Sequence, residues 1–411
     1  MKKKEKSTSR IKQIKGGVTA AKGFSAGAVT AGIKDSKKPD CGLVTSERPC
    51  CAAGAFTTNA VRASSVDWCE GVLPGNSVRA VFCNSGNANA CTGKQGENDT
   101  RKIASHISGL LGAKRDAVLV ASTGVIGHFL PMEKIEATLP ALVAKAAKAG
   151  TKGGSAFAHA ILTTDTKMKE CSFSVTTPAG TFVIGGCAKG SGMICPNMAT
   201  MLAFITTDAK ISSQKLNAIV KSVVDRTFNN LTVDGDTSTN DMVLVCANGM
   251  SGISAAAGDA AVAFEDALFR VCDVLCQKIA EDGEGATKRV EIRVCGSSTF
   301  QNAKKAAKSI ANSNLVKTAL FGNDPNWGRI LCAIGYSGAL FSKEKLTLKL
   351  CNTTVFRRMR PAAFDAAKLS SRMRSPVVRI DVDLGTGKAC AVSHTCDLTY
   401  DYIKINAEYH T

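Results

Sequence analysis

The sequence lacks a continuous apolar stretch long enough to cross a membrane. A membrane-spanning helix needs about 20 predominantly apolar residues, and the charge-free segment 190–207 is interrupted by Gly, Pro, Asn and Thr. The lysine-rich start has no apolar core of a secretory signal and is short for a transit peptide. We therefore exclude a membrane span and expect a cytoplasmic protein.

Aromatic residues are scarce, at 5% of the chain, although the formal net charge is +18. A nucleic-acid-binding protein of this charge would be expected to carry aromatic side chains that stack on bases. Most of the excess positive charge lies in two regions. Residues 1–15 have seven Lys or Arg and one acidic residue, and residues 343–379 have ten Lys or Arg and two acidic residues. We predict a basic tail and a solvated basic stretch that attract small acidic metabolites; a basic nucleic-acid-binding protein is the non-enzymatic alternative.

Metal-binding patterns are missing as well. The chain has 17 Cys and five His, but no CxxC pair and no Cys/His block with the spacing of a zinc site. Most cysteines lie inside apolar runs, so we expect small, buried and reduced side chains. No histidine spacing indicates a metal or a catalytic triad. The sequence therefore predicts no metal site and no organic cofactor.

Two periodicities alternate along the 411 residues, which are enough for two or more domain-sized units. Apolar residues recur at helical spacing in 131–150 and 213–226, whereas 289–294 and 377–384 alternate charged and apolar residues as half-buried strands do. These segments predict a mixed α/β fold. Many Gly- and Asn-rich loops separate them and are suited to building a small-molecule site.

Three short motifs fit known patterns only in part. GFSAG (23–27) fits a serine nucleophile elbow, but no buried strand precedes it, so we expect a glycine-bounded loop. The loop from Asp234 to Asp241 lacks the glycine and the final acid of an EF-hand, and its Asx residues predict turns. GTGK (385–388) lacks the flanking residues of a phosphate loop, and a hairpin turn is expected there.

One threonine stands where a glycine- and proline-containing loop meets an apolar run. In KGSGMICPNMATML (189–202) the run begins after Thr200 and predicts a buried strand. A threonine hydroxyl needs a nearby base to act as a nucleophile, and its own α-amino group can serve once the preceding peptide bond is cut. The hydroxyl could make this cut by attacking the carbonyl of Ala199. The residues alone leave two interpretations of Thr200, a nucleophile or a β-branched packing residue.

The same segment belongs to a series of motifs that resembles the ArgJ family, the glutamate N-acetyltransferases also called ornithine acetyltransferases. The motifs run in order from about residue 15 to the end of the chain: GGVTAAKGF (16–24), NSGNANACTG (84–93), STGVIG (122–127), TTDT (163–166), VDGDTSTND (233–241), DGEGATK (282–288), DPNWGR (324–329) and NAEYHT (406–411). The resemblance implies mixed sheets layered with helices, in a DmpA/ArgJ-like architecture of the N-terminal-nucleophile type.

The resemblance also implies a reaction. The chain would cut itself between Ala199 and Thr200 into an α chain, 1–199, and a β chain, 200–411, commonly assembled as α2β2. Thr200 would then move an acetyl group from N-acetylornithine to glutamate by a ping-pong mechanism in arginine biosynthesis. Some relatives also accept acetyl-CoA, which adds an amino-acid N-acetyltransferase activity. The alternative is an amidohydrolase or aminopeptidase that uses the same nucleophile, with water as acceptor.

The other site residues are carried over from the family motifs. Thr123 and Gly124 match the oxyanion hole, where a hydroxyl and a backbone N–H meet the charge of the tetrahedral intermediate. The substrate-binding positions are Thr163, Lys189, Thr200, Glu284, Asn406 and Thr411, with Thr164 in place of Thr163 if the register is off by one. Glu284 suits an ammonium group of ornithine or glutamate. His410 departs from the family, in which a small hydroxylated residue is common.

Overall fold

The computed structural model describes residues 9–149, 152–195 and 201–408, and these residues form one sheet of nine strands and one of six. The predicted residues Ala199, Thr200 and Thr411, and also His410, lie outside the described residues. Helices pack against both sheets, which confirms the mixed α/β class.

The nine-stranded sheet is mixed in direction. Its strands are β1 (Arg10–Ile14), β2 (Phe24–Val29), β3 (Cys41–Phe56), β4 (Gly75–Asn87), β5 (Val118–Val125), β6 (Lys169–Thr177), β7 (Gly180–Lys189), β8 (Leu202–Thr207) and β9 (Met242–Ala247). Their order is β1-β6-β7-β8-β9-β3-β4-β5, with β2 paired to β3. The pairs β4/β5 and β8/β9 are parallel, and the other pairs are antiparallel.

Both faces of this sheet are covered. Its helices are α1 (Ser64–Val72), α2 (Gly93–Leu110), α3 (Met132–Lys148), α4 (Lys152–Ala160), α5 (Ser213–Arg226) and α6 (Gly258–Glu281). In β9, Val243 and Val245 pack into the core that includes α5 and α6, while Leu244 and Cys246 pack into the core on the opposite face. The continuous apolar sequence of this strand follows from burial on both sides.

The six-stranded sheet has the order β13-β12-β11-β14-β10-β15. Its strands are β10 (Arg289–Ser297), β11 (Thr347–Leu350), β12 (Thr353–Arg357), β13 (Arg360–Pro361), β14 (Val377–Asp383) and β15 (Ala389–Cys396). The predicted strands at 289–294 and 377–384 correspond to β10 and β14, which pair in parallel. Their apolar residues are buried, except Val377 at the start of β14, and the charged residues between them lie on the opposite face.

Helices cover one face of this second sheet. They are α7 (Phe300–Asn312), α8 (Asn314–Phe321), α9 (Trp327–Gly335) and α10 (Ala366–Met373), and α11 (Tyr400–Glu408) follows the last strand. The other face carries Glu291, Arg293, Arg379 and Asp381, in which Arg379 pairs with Asp381 at 2.8 Å. We call this surface the open face. The described residues of α11 include no buried side chain.

Three expectations from the sequence are wrong. Residues 24–27 of GFSAG lie within strand β2, not in a loop, because residues 24–29 pair with 41–46. GTGK is not a hairpin turn, because β14 and β15 both pair with β10 and not with each other; the turn carries the chain across β10. The stretch 10–14 of the supposed basic tail is an edge strand paired with β6.

The cysteines are mostly, but not all, as expected. Eleven of the 15 free cysteines are buried, all of them within the described residues. Cys295 and Cys390, however, form a disulfide between the neighbouring strands β10 and β15. The expectation of reduced side chains is wrong for this pair, which is 95 residues apart in sequence and therefore left no spacing signal. None of the helices in the described ranges is long and apolar enough to span a bilayer.

Candidate active site

A cleft of about 100 Å³ brings together distant parts of the chain. Its lining residues are Thr123, Gly124, Thr163, Thr164, Lys189, Gly192, Met193, Ser238, Glu284 and Asn406. Six of these are residues that the sequence analysis predicts for the site, contributed by β5, the loop before β6, the end of β7, the loop after α6 and the helix α11. Thr163 and Thr164 both line the cleft, so either register of that motif reaches it.

The strand register links the first described residues after Thr200 to a strand that lines this cleft. Leu202, two residues after Thr200, is the partner of Lys189 in the antiparallel pair of β7 and β8. It is also the partner of Met242 in the parallel pair of β8 and β9. The described chain therefore resumes at Met201 beside strand β7, whose last residue, Lys189, lines the cleft.

Thr123 and Gly124, the predicted oxyanion pair, lie at the end of β5. Thr123 is buried, and its hydroxyl oxygen accepts a hydrogen bond from Lys189 Nζ at 3.3 Å. Gly124 has φ +133°, and a Cβ there would lie 2.3 Å from the carbonyl carbon of Gly86. Only glycine fits this backbone. A backbone N–H and a hydroxyl on consecutive residues are a suitable pair of donors for an oxyanion.

Three buried charges lie behind the cleft, and we call them the buried triad. Lys169 Nζ contacts Asp165 Oδ1 and Asp282 Oδ2, each at 2.6 Å, with all three side chains nearly or completely inaccessible. Burial alone would raise the pKa of Asp165, but the charges of Lys189 and Lys169 outweigh it and lower that pKa to about 2. Asp165 is therefore ionised at neutral pH.

The buried triad also ties together the loops that carry the site. Asp165 accepts hydrogen bonds from the backbone amides of Gly190 (2.6 Å) and Thr163 (3.1 Å). Asp282 accepts hydrogen bonds from the backbone amides of Thr166 and Lys167 at 3.1 and 3.2 Å. The predicted ligands Thr163, Lys189 and Glu284 each lie within two residues of one of these contacts, so the triad fixes their relative positions.

Glu284 forms one wall of the cleft. Its backbone amide donates to Ser191 O at 2.9 Å, and a Cβ on Gly192 would lie only 2.2 Å from its carboxylate. Glycine at 192 therefore makes room for this carboxylate. The side-chain amide of Asn406 donates to Glu284 Oε2 at 2.9 Å, which places α11 across the cleft.

A second contact holds α11 to the loop before the predicted cut. Asp234 accepts the backbone amides of Met193 and Ile194 at 2.7 and 2.8 Å, and that of Asp236 at 3.2 Å. Burial, followed by the charge and the hydrogen bond of Asp234, raises the pKa of Tyr402 on α11. The turn chemistry predicted for 234–241 is confirmed in this loop.

Sequence reasoning missed several residues around the cleft. Asn240 donates to Ala88 O at 2.6 Å and to Ser122 O at 2.8 Å, which joins the loop before β9 to the ends of β4 and β5. Asp241 is buried, and burial raises its pKa well above the ordinary value. Both lie in VDGDTSTND, and Asp165 lies in TTDT, so the motifs pointed to the right loops without assigning these side chains. In the part of the chain that the structure describes, His, Cys, Asp and Glu side chains form no group of three able to hold a metal ion.

Comparison with known proteins supplies an independent finding. The sequence model of the ArgJ family matches residues 25–411. The chain is 47% identical over 402 residues to the arginine biosynthesis bifunctional protein ArgJ of Symbiobacterium thermophilum, with 97% of this chain and 99% of the relative covered. It is 44% identical over 410 residues to the protein of the same name from Geobacillus kaustophilus, with 99% of each covered.

Solved structures give matches to parts of the chain. A crystal structure of ArgJ from Bacillus halodurans has 42% sequence identity and a TM-score of 0.49, and the match covers 51% of this chain and 99% of that one. An ornithine acetyltransferase from Mycobacterium tuberculosis, complexed with ornithine, has 41% identity and a TM-score of 0.43, covering 46% and 99%.

Proposed function

The chain belongs to the ArgJ family, and from this premise we propose that it is a self-processing acetyltransferase of arginine biosynthesis. It moves an acetyl group from N-acetylornithine to glutamate through an acetyl-Thr200 intermediate. This transfer is the glutamate N-acetyltransferase reaction. The relatives are named bifunctional, which supports a second, amino-acid N-acetyltransferase activity with acetyl-CoA as donor.

One observation carries this proposal. Thr123, Gly124, Thr163, Lys189, Glu284 and Asn406 are spread over more than half of the sequence, yet they line a single cleft. Leu202 of β8, two residues after Thr200 in sequence, pairs with Lys189 of this cleft. The convergence on one cleft of residues drawn from acyl-transfer motifs supports that chemistry.

The first step is the cut that divides the chain into residues 1–199 and 200–411. The hydroxyl of Thr200 attacks the carbonyl carbon of Ala199, the carbon–nitrogen bond breaks as the nitrogen takes up a proton, and water hydrolyses the resulting ester. The α-amino group of Thr200 is then free. Its ordinary pKa near 8 makes it an effective base at neutral pH.

In the second step Thr200 attacks the acetyl carbonyl of N-acetylornithine. Its hydroxyl proton passes to the α-amino group, and the oxyanion that forms is stabilised by Thr123 and the N–H of Gly124. The amine of ornithine leaves with a proton, and acetyl-Thr200 remains. Glutamate then enters, its amine attacks the acetyl carbon, and Thr200 is released.

Charge complementarity accounts for the two amino-acid substrates. Both carry a carboxylate, for which Lys189 is the cationic partner, and ornithine carries an ammonium group that matches Glu284. Residues of the chain itself supply every group in these steps. We therefore propose that no metal or organic cofactor takes part. From the family we also propose that the two chains assemble as α2β2 and that the enzyme is cytoplasmic.

The test is a discontinuous assay of ornithine release from N-acetylornithine, run with and without glutamate. Wild-type protein should release ornithine in step with formation of N-acetylglutamate, and release without glutamate should stop after one equivalent. Thr200→Ala should stay uncut and inactive. The matched control is Thr347→Ala, which should behave as wild type. Thr347 on β11 pairs with Asp383 of β14 and shares the open face with Arg293, Arg379 and Asp381.

Two results would overturn the proposal. Continuous ornithine release that ignores glutamate would assign the protein to the hydrolases that share this nucleophile. Full activity of Thr200→Ala would remove Thr200 from the mechanism altogether.

A further inference from the structure

We propose that Lys34 is a positioning residue that holds the segment before Thr163 against the strand end that carries Gly124. The inference rests on the proposed function and deepens it, because it names a side chain that fixes a substrate ligand relative to the oxyanion hole. It is carried by the hydrogen bonds of the Lys34 ammonium group and by the close approach of its aliphatic stem to Gly86.

The ammonium group of Lys34 closes the carbonyl end of α4. Its Nζ donates to Leu162 O at 2.6 Å, to Ala160 O at 3.3 Å and to Pro39 O at 3.3 Å. A lysine has three N–H donors, so these three carbonyls use all of them. A cation also suits the end of a helix, where carbonyl groups lack partners within the helix. The shortest bond fixes the peptide group that joins Leu162 to Thr163.

The aliphatic stem of Lys34 lies beside the strand end that carries the oxyanion pair. A Cβ on Gly86 would lie 3.0 Å from Lys34 Cγ, and Gly86 is the partner of Gly124 in the parallel pair of β4 and β5. Both glycines have positive φ, +102° and +133°, which other residues rarely adopt. The backbone of Gly86 is therefore close to the Lys34 stem and to Gly124 at once.

The loop that presents Lys34 is itself tied to the same elements. Asp40 is completely buried, and its carboxylate accepts hydrogen bonds from the backbone amides of residues 31–34 at 2.6–3.3 Å. Ser85 on β4 donates its backbone amide to Asp40 O at 2.8 Å and its hydroxyl to Ala160 O. The loop, the end of β4 and the end of α4 are thus joined directly, and Lys34 connects the three.

Lys34 is close to the charges of the cleft without lining it. Burial lowers its pKa, the charge of Asp40 opposes this shift, and the charges of Lys189 and Asp165 act on it as well. Lys34 is not one of the described residues that line the cleft. Its effect on catalysis therefore passes through the residues it holds in place.

The experiment separates the ammonium group from the stem. Lys34→Met keeps most of the stem and removes the ammonium group, whereas Lys34→Ala removes both. The matched control is Lys304→Met on α7. Lys304 is also half-buried, and its Nζ donates to a carbonyl at the end of a helix, Asp225 O on α5, at 3.3 Å. No described residue of α5 or α7 lines the cleft. Cut protein is assayed for kcat and KM with N-acetylornithine, and urea unfolding measures stability.

Lys34→Met should raise KM for N-acetylornithine about 10-fold and keep kcat within about threefold of wild type, because the Thr163 segment loses its anchor while the stem remains. Lys34→Ala should in addition lower kcat about 10-fold, because the backbone beside Gly124 loses its support. Lys304→Met should lower stability and leave both constants unchanged. A mere loss of folded protein lowers kcat and does not move KM, so the rise in KM identifies a positioning role.

Lys34→Arg keeps the charge and several N–H donors, and it should bring KM back to within about threefold of wild type. If Lys34→Met does not fold, Lys34→Gln replaces it, with a rise in KM in the same direction. Wild-type KM in the variant without the ammonium group, whether or not kcat falls, would overturn the inference and leave the proposed function intact. A wild-type protein that releases no ornithine from N-acetylornithine would instead remove the proposed function itself.

Discussion

The two sheets of this protein use charge in opposite ways. Behind the cleft of the nine-stranded sheet, Lys169 is buried between Asp165 and Asp282, and each contact is 2.6 Å long. On the open face of the six-stranded sheet, Arg379 pairs with Asp381 at 2.8 Å, but both side chains remain partly exposed, at 39% and 23%. Similar distances therefore occur in very different surroundings.

The difference indicates which ionic contacts stabilise the fold around the cleft and which contribute little. A partly exposed ion pair contributes little, because water already solvates both charges. A buried one becomes strongly destabilising when a single partner is removed. The buried triad also accepts hydrogen bonds from the backbone amides of Thr163 and of Gly190, the neighbour of Lys189. The open face holds none of the predicted residues that line the cleft. We expect mutations to separate the two regions clearly.

The largest contrast is expected between Lys169→Met and Arg379→Met. The first leaves two buried carboxylates facing each other and should lower the free energy of unfolding by about 3–5 kcal/mol. The second should lower it by at most about 1 kcal/mol. Urea unfolding followed by circular dichroism measures both. Equal effects would show that burial does not distinguish the two sheets.

Thr123→Val tests the proposed oxyanion hole, and the same substitution at Thr347 on the other sheet is its control. Loss of this hydroxyl should reduce kcat by about 10²–10³-fold, because the developing negative charge loses one of its donors. Thr347→Val on the open face should leave kcat unchanged. Steady-state kinetics of acetyl transfer decide between them, and a full kcat in Thr123→Val would place the oxyanion elsewhere.

Glu284→Gln removes a charge from the cleft while keeping the size of the side chain. If the carboxylate binds a substrate ammonium, KM should rise roughly 10- to 100-fold, as expected for a charge-assisted hydrogen bond. Glu291→Gln on the open face is the control with no expected change. A Glu284 variant with wild-type KM for both substrates would contradict its assignment as a ligand.

The last effect concerns stability alone, namely a pH dependence that Asp165 contributes. Its pKa is about 2 in the folded chain and about 3.9 when unfolded. A lowered pKa stabilises the fold in full above the unfolded value, and this contribution is lost as the pH falls through the folded value. The advantage of wild type over Asp165→Asn should therefore shrink by roughly 2–3 kcal/mol between pH 5 and pH 2. A constant difference in unfolding free energy would argue against the ionised pair.

Much of the fold was predictable where local pattern and environment agree. The alternation in 289–294 and 377–384 predicts β10 and β14 because one face of that sheet is exposed. The helix predicted at 213–226 has the bounds of α5, with the hydroxyl of Ser212 capping its first turn. GTGK was misassigned because strand order is not encoded in a turn: only the neighbours of β10 determine that β14 and β15 are apart.

Much of the lining of the cleft was predictable from family motifs, but the side chains that support it were not. Lys169 and Asp282 are 113 residues apart, and Asp241 has an ordinary position in a polar loop. Their importance comes from burial and from partners that only the fold brings near. The same reason hid the disulfide between Cys295 and Cys390.

The central claim is that the chain makes its own nucleophile by cutting before Thr200. The most direct measurement is an intact-mass spectrum of the purified protein under denaturing conditions. The account predicts two fragments, one of which begins with Thr200. An active protein that consists of a single uncut chain of 42.9 kDa would contradict it.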